Sequence, residues 1–209
     1  MPVYTKREDL LNVISHAIGT IFGIVALFLM IVKSIQLEKT IYIVSSVLYG
    51  LSIIFLFGVS TAYHGAKDVK VREILRKADH LTINILISGT NIPFILAGLQ
   101  SRTGIILCSL NVTLSLISII LNLIDVNKFR AISMIIYIIT GWMAVVIIKF
   151  LYVAIGLDGM ILLVCGGLFY TFGLIFYAMK REMAHFVWHI FVLAGTICHF
   201  FGVYYYVLN

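Results

Sequence analysis

Residues 184–207 read AHFVWHIFVLAGTICHFFGVYYYV, an apolar stretch long enough to cross the ~30 Å hydrocarbon core of a bilayer as one helix. Two histidines within it, His185 and His189, are four residues apart, the spacing that places side chains on one helix face. A third, His199, follows further along. Ionisable, metal-competent groups are costly inside a membrane and mark functional positions there. This one segment therefore names both the solvent of the fold and the first candidate site.

Composition agrees with that solvent. Of 209 residues, 62% are hydrophobic and 11% charged, where soluble domains carry about 25% charged residues. So apolar a chain leaves no room for a separate soluble domain, and residues 1–209 read as a single transmembrane unit. The start, Met1 to Leu11, has no short apolar core followed by a small-residue cleavage site, so the first hydrophobic segment reads as a retained span. Cys108, Cys165 and Cys198 are scattered through apolar runs, a pattern of neither disulfides nor a Cys-x-x-Cys metal site.

Outward from the C-terminal stretch, six more apolar runs occupy roughly 13–32, 41–63, 81–99, 104–124, 131–151 and 160–179. Continuous apolar runs in lipid mean helices, because the backbone must satisfy its own hydrogen bonds. The expected fold is all-α: a polytopic, seven-transmembrane helix bundle. Lysines and arginines choose its orientation. Eleven of the 15 flank the spans on the N-terminal side, five of them between residues 67 and 77, and four lie on the other. Basic loops stay inside, so the N-terminus is expected to be cytoplasmic and the C-terminus external, in a bacterial plasma membrane. The net charge of +6 is accounted for by this asymmetry, and no nucleic-acid partner is expected.

In that topology the ionisable residues gather in one layer. His64 ends span 2 on the cytoplasmic side, with Ser60 one turn deeper on the same face. Asp79 opens span 3 from that side, and His185 and His189 open span 7. Three neutral imidazoles with an open position are what a catalytic Zn2+ requires. Asp79 is placed to take a proton from water or to orient it, and Ser60 to donate to a developing oxyanion. Blander roles exist for each group. Asp79 suits the N-cap of span 3, His64 an interfacial position facing headgroups, and Ser60 a bond to its own backbone. The histidine pair also suits interhelical hydrogen bonding.

Asn12 and His16 form another i,i+4 pair at the start of span 1 and are expected to line the same cavity, supporting the site from behind, with Glu8 capping that helix. His80 points about 100° away from Asp79 on a helix and is left outside. His199 lies ~15 Å deeper than His189, too far to share its metal, and reads as a buried hydrogen-bond partner, with a place on a substrate tunnel as the alternative. Pro93 is expected to kink span 3.

The segments Asn12-Val-Ile-Ser-His16, Ser60-Thr-Ala-Tyr-His64, Lys77-Ala-Asp79 with Pro93 following, and His185-Phe-Val-Trp-His189 resemble the progestin and adipoQ receptor family, most closely its bacterial hemolysin III branch. The resemblance covers nearly the whole chain and implies a seven-helix bundle with a cytoplasmic N-terminus. It implies zinc held by His64, His185 and His189, with Asp79 contacting the metal through water, as in adiponectin receptors. It also implies ceramidase-like hydrolysis of a lipid amide or ester, with membrane lipids as partners. The receptors' long N-terminal cytoplasmic domain is missing here, so hormone binding is not carried over. The competing expectation is a non-enzymatic sensor of membrane stress or lipid state with structural zinc. A transporter fits less well, because the outer halves of the spans show few polar residues beyond His199. A retinal protein does not fit, since span 7 has no lysine for a Schiff base.

Overall fold

The computed structural model describes residues 4–209, and these are helical with no strand among them. Helix α1 spans Lys6–Gln36, α2 Thr40–Gly65, α3 Val69–Asn91, α4 Arg102–Asp125, α5 Arg130–Gly141, α6 Ile148–Ala178 and α7 Ala184–Gly202. Six stretches are long and apolar enough to cross a membrane; the fifth, Arg130–Ala178, is 49 residues long.

Large apolar side chains cover the outside. Phe28, Leu123, Phe150 and Val153 are each more than half exposed, Val153 to 86%. In water such a surface would drive aggregation, whereas acyl chains solvate it at no cost. The inside is correspondingly rich in small and polar groups. Gly19 and Gly23 on α1 lie against Phe57 and Ile53 on α2, and a Cβ on Gly50 would come within 2.6 Å of Leu27. Lipid offers no hydrophobic drive between helices, so close backbone approach at small residues holds this hairpin together.

Elsewhere amides hold the helices together. The side-chain amides of Asn91 on α3 and Asn111 on α4 both donate to the Thr140 carbonyl, each at 3.0 Å. That carbonyl sits in the last turn of α5, where the regular α-helical ladder ends and side-chain donors add to its bonding. Tyr137 Oη accepts from Asn122 at 3.3 Å, and Ser133 donates to Asn122 Oδ1 at 2.9 Å. Pro93 breaks the regular ladder of α3 as expected, and the chain continues as a π-helical segment over Ile92–Ala97.

The 49-residue stretch is not one straight helix. A 3-10 segment, Met143–Ile147, follows α5, and α6 is interrupted at Gly156, whose φ of 66° belongs to the left-handed side of conformational space that glycine tolerates. The chain folds back on itself there. Arg130 Nη2 donates to the Tyr177 carbonyl at 3.1 Å, and Trp142 Nε1 to Thr171 Oγ1 at 2.9 Å.

Two expectations about helix starts are corrected. Asp79 neither opens nor caps its helix. The α3 helix begins at Val69, ten residues earlier, where Asp68 accepts from the amides of Lys70 (3.0 Å) and Val71 (2.9 Å). The hydropathy window missed these nearly three turns of charge-rich helix because they lie before the apolar run. Glu8 does not cap α1 either; Thr5 does, its Oγ1 accepting from the Glu8 amide at 3.2 Å.

Candidate metal centre

Three helix ends meet at the α1 N-terminal side of the fold. His64 comes from the last turn of α2, while His185 and His189 come from the first turns of α7. Their ring centroids are 5.2 Å (His64–His185), 5.1 Å (His64–His189) and 4.5 Å (His185–His189) apart. One nitrogen from each ring lies within 4.8 Å of the others. A tetrahedral zinc would draw such nitrogens to about 3.4 Å of one another, so a small closure of the rings suffices.

The hydrogen-bond accounting fits a cation. His64 Nε2, His185 Nε2 and His189 Nδ1 are buried without any protein partner. Buried polar atoms are nearly always paired, and an unpaired nitrogen on each of three adjoining imidazoles supplies a donor set for one divalent ion. These three residues can therefore hold a metal.

His64 is held from behind. Its Nδ1 lies 3.0 Å from Asp9 Oδ1, and Arg72 Nη2 reaches both oxygens of the same carboxylate at 2.7 and 2.9 Å. A carboxylate only accepts, so the proton sits on Nδ1 and Nε2 keeps a free lone pair. Asn12 Nδ2, 3.3 Å from the same nitrogen, packs beside this bond. The arrangement is a carboxylate supporting a metal-competent imidazole, tied to a third helix by an arginine.

Neither Asp9 nor Arg72 was singled out in the sequence. Asp9 shares a face of α1 with Asn12 and His16, at spacings of three and seven, and that pattern would have found it. Nothing local marks Arg72.

A cavity of about 550 Å³ opens beside the three rings. Ser60, Asp79, His16, His185 and His189 line it, while His64 and Asn12 are not on its wall; His64 is joined to the group through its ring's approach to His185 and His189. Ser60 Oγ has no hydrogen-bond partner. His16 is fully inside the bundle, both of its nitrogens unpartnered, and its ring stacks on His189 at 3.6 Å. His80 is also on the cavity wall, contrary to its expected exclusion, with Nδ1 3.1 Å from Tyr177 Oη. The 100° offset from Asp79 holds, but the chamber is wide enough to take both directions.

Tyr4, just before α1, stacks on His185 at 4.9 Å. Burial pushes its phenol well above its ordinary range, so it stays a neutral donor. His199 takes no part: its Nε2 donates to the Leu163 carbonyl at 3.1 Å, as expected for a buried hydrogen-bond partner. Two smaller pockets, of about 40 and 60 Å³, lie against Trp142 and Tyr170 and reach none of the three histidines.

Comparison with known proteins matches this arrangement to a family. The profile described as "Haemolysin-III related" matches residues 4–200. A "Hemolysin-3 homolog" of Bacillus subtilis (strain 168) is 34% identical over 98% of this chain and 96% of its own length. "Hemolysin-3" of Bacillus cereus is 36% identical over 97% and 93%. More distantly, the human "Monocyte to macrophage differentiation factor" is 24% identical over 76% of this chain and 68% of its own. These matches and the lipid-suited exterior make the chain a multi-pass protein of the cell membrane. The chain belongs to the haemolysin-III related family, the bacterial branch of the progestin and adipoQ receptors.

Proposed function

We propose that this protein is a zinc-dependent intramembrane hydrolase of a lipid amide or ester, with seven crossings and a cytoplasmic N-terminus. One observation carries the reading: three imidazoles, each offering a nitrogen within 4.8 Å of the others and each keeping one unpartnered nitrogen, adjoin a chamber lined by His185, His189, Asp79 and Ser60. The count of crossings rests on the fold-back between Arg130 and Tyr177. At 1.5 Å per residue, 49 residues make about 73 Å of helix, enough for two passes rather than one. The orientation rests on the distribution of lysine and arginine.

His64, His185 and His189 would hold the zinc. When bound, zinc polarises a carbonyl and makes water acidic enough to attack near neutral pH. The remaining roles belong to the protein. Asp79 takes the proton of the attacking water and returns it to the departing amine or alcohol. Ser60 donates a hydrogen bond to the carbonyl oxygen as negative charge builds on it. Asp9 and Arg72 keep His64 in the tautomer that leaves the Nε2 lone pair free. Walls supplied by Leu56, Ile83, Phe176 and Trp188 take the acyl chain.

The test is zinc content and acyl-linkage hydrolysis in purified wild type, His189→Ala and Asp79→Asn. The reading requires His189→Ala to lose both metal and turnover, and Asp79→Asn to keep metal while losing turnover. Turnover in metal-free His189→Ala removes it. Unfolding on chelation with no turnover in any form points instead to a sensor with structural zinc.

A further inference from the structure

The basic wall of the same chamber has no acid partner among the described residues, and Arg130 is held there by the Tyr177 carbonyl and ring. Arg76, Arg130, Lys180 and Arg181 line the cavity, as do the acids Glu8, Asp79 and Glu182. Yet among the described residues the only ion pairs are those of Asp9, with Arg72 and with His64. None of the four cavity cations lies within pairing distance of an acid. Arg76 is the most telling of them, because its Nε is buried without a hydrogen-bond partner. A guanidinium N–H removed from water and left unpaired is costly, so the position is built for a ligand that accepts from it.

Arg130 stands near this group. Its guanidinium lies 4.7 Å over the Tyr177 ring, and Tyr177 Oη reaches His80 Nδ1 at 3.1 Å. Arg76, Arg130 and His80 line the same cavity. Tyr177 in turn lies 6.5 Å from the His185 ring, so this basic wall is one side chain away from the metal-competent histidines. Arginine forks fit phosphate oxygens two at a time, which a lysine cannot do.

We infer that Arg76 and Arg130 form a subsite for the phosphate of an anionic lipid headgroup, which places the lipid's acyl linkage toward His64, His185 and His189. The substrate class of the proposed hydrolase is then a phospholipid, not a neutral lipid. This rests on the chamber being a lipid site, not on zinc being present. In the proposed orientation the subsite faces the leaflet where anionic lipids concentrate.

The experiment is calorimetric titration of the full-length protein in neutral detergent with two probes, dihexanoyl phosphatidylglycerol and uncharged dihexanoylglycerol. Two charge-assisted contacts predict at least about a tenfold preference for the phosphatidylglycerol in wild type, falling to about twofold or less in Arg76→Gln/Arg130→Gln. The control Lys67→Gln/Lys70→Gln removes the same charge outside the chamber and is expected to keep the preference. Survival of the preference in the arginine variant overturns the subsite, and so does its equal loss in the control. Inorganic phosphate binding as tightly as the phosphatidylglycerol overturns the assignment to a lipid. The preference is expected unchanged after chelation and in His189→Ala, so failure of the zinc reading leaves it standing; its disappearance there means the metal binds the phosphate and overturns the role of the arginines. Wild-type protein supplies a second measure that needs no variant to fold. Phosphatidylglycerol is expected to slow phenylglyoxal modification of Arg76 and Arg130, mapped by mass spectrometry, and unchanged rates at both overturn the proposal.

Discussion

His199 and the His64–His185–His189 group are two ways of burying imidazole in one bundle, and they differ in what the ring nitrogens meet. His199 sits between Phe94 and Tyr170, ring centroids 5.9 and 5.2 Å away, with Gly166 making room for the ring. Its Nε2 is used up on the Leu163 carbonyl, and its Nδ1, though unpartnered, belongs to no group of metal-competent atoms among the described residues. The other three rings approach one another, and each keeps a nitrogen that no protein atom satisfies. Burial is common to both regions and so does not mark a site. Convergence of unsatisfied nitrogens does, because only an ion or ligand can then balance the lost hydration.

The contrast breaks most sharply on metal affinity. His189→Ala is expected to weaken zinc binding by more than about 100-fold, beyond the range seen when only a supporting group is lost. His199→Gln is expected to leave it within about twofold, since His199 touches none of the metal-competent rings. Competition against a chelator of known affinity measures both, and equal losses would collapse the distinction.

The support behind His64 comes next. Asp9→Asn removes the charge that holds Nδ1–H and that Arg72 grips, and is expected to cost about 10- to 100-fold in metal affinity. Arg72→Gln, acting one bond further away, is expected to cost less than Asp9→Asn in the same assay. An Asp9→Asn protein with wild-type affinity would mean that His64 is positioned by packing alone.

The His199 region should fail in stability instead. A Cβ on Gly166 would press into the His199 ring, so Gly166→Ala is expected to destabilise the protein by about 1–3 kcal/mol with zinc affinity unchanged. The smallest effect is expected at Trp142→Phe, which deletes the Nε1–Thr171 bond across the fold-back. Interhelical bonds in membranes are worth about 0.6 kcal/mol on average, so a small fall in the unfolding midpoint is expected, with metal content intact.

Much of this was legible before any coordinates. Long apolar runs forced helices, because lipid leaves the backbone no other partner. The i,i+4 spacing of His185 and His189 put both rings on one face, and the charge asymmetry put His64 at the same end as that pair. What escaped was long-range. Asp9 and Arg72 look like ordinary interfacial charges until α1, α2 and α3 bring them within 2.7 Å of each other. His80 was excluded by angle along a single helix, an argument that cannot see how wide the neighbouring chamber is. The start of α3 was missed because a charge-rich stretch of helix before a span carries no hydropathy signal.

By itself, then, the sequence determined the solvent, the helical class, the family pattern and the candidate ligand types. All of these follow from local chemistry repeated along the chain. Only the tertiary structure decided which nitrogens stay unpaired, which carboxylate stands behind His64, and that four cavity-lining cations lack an acid partner. Those are facts about distances of 3–4 Å between residues far apart in the chain, and no local spacing encodes such distances.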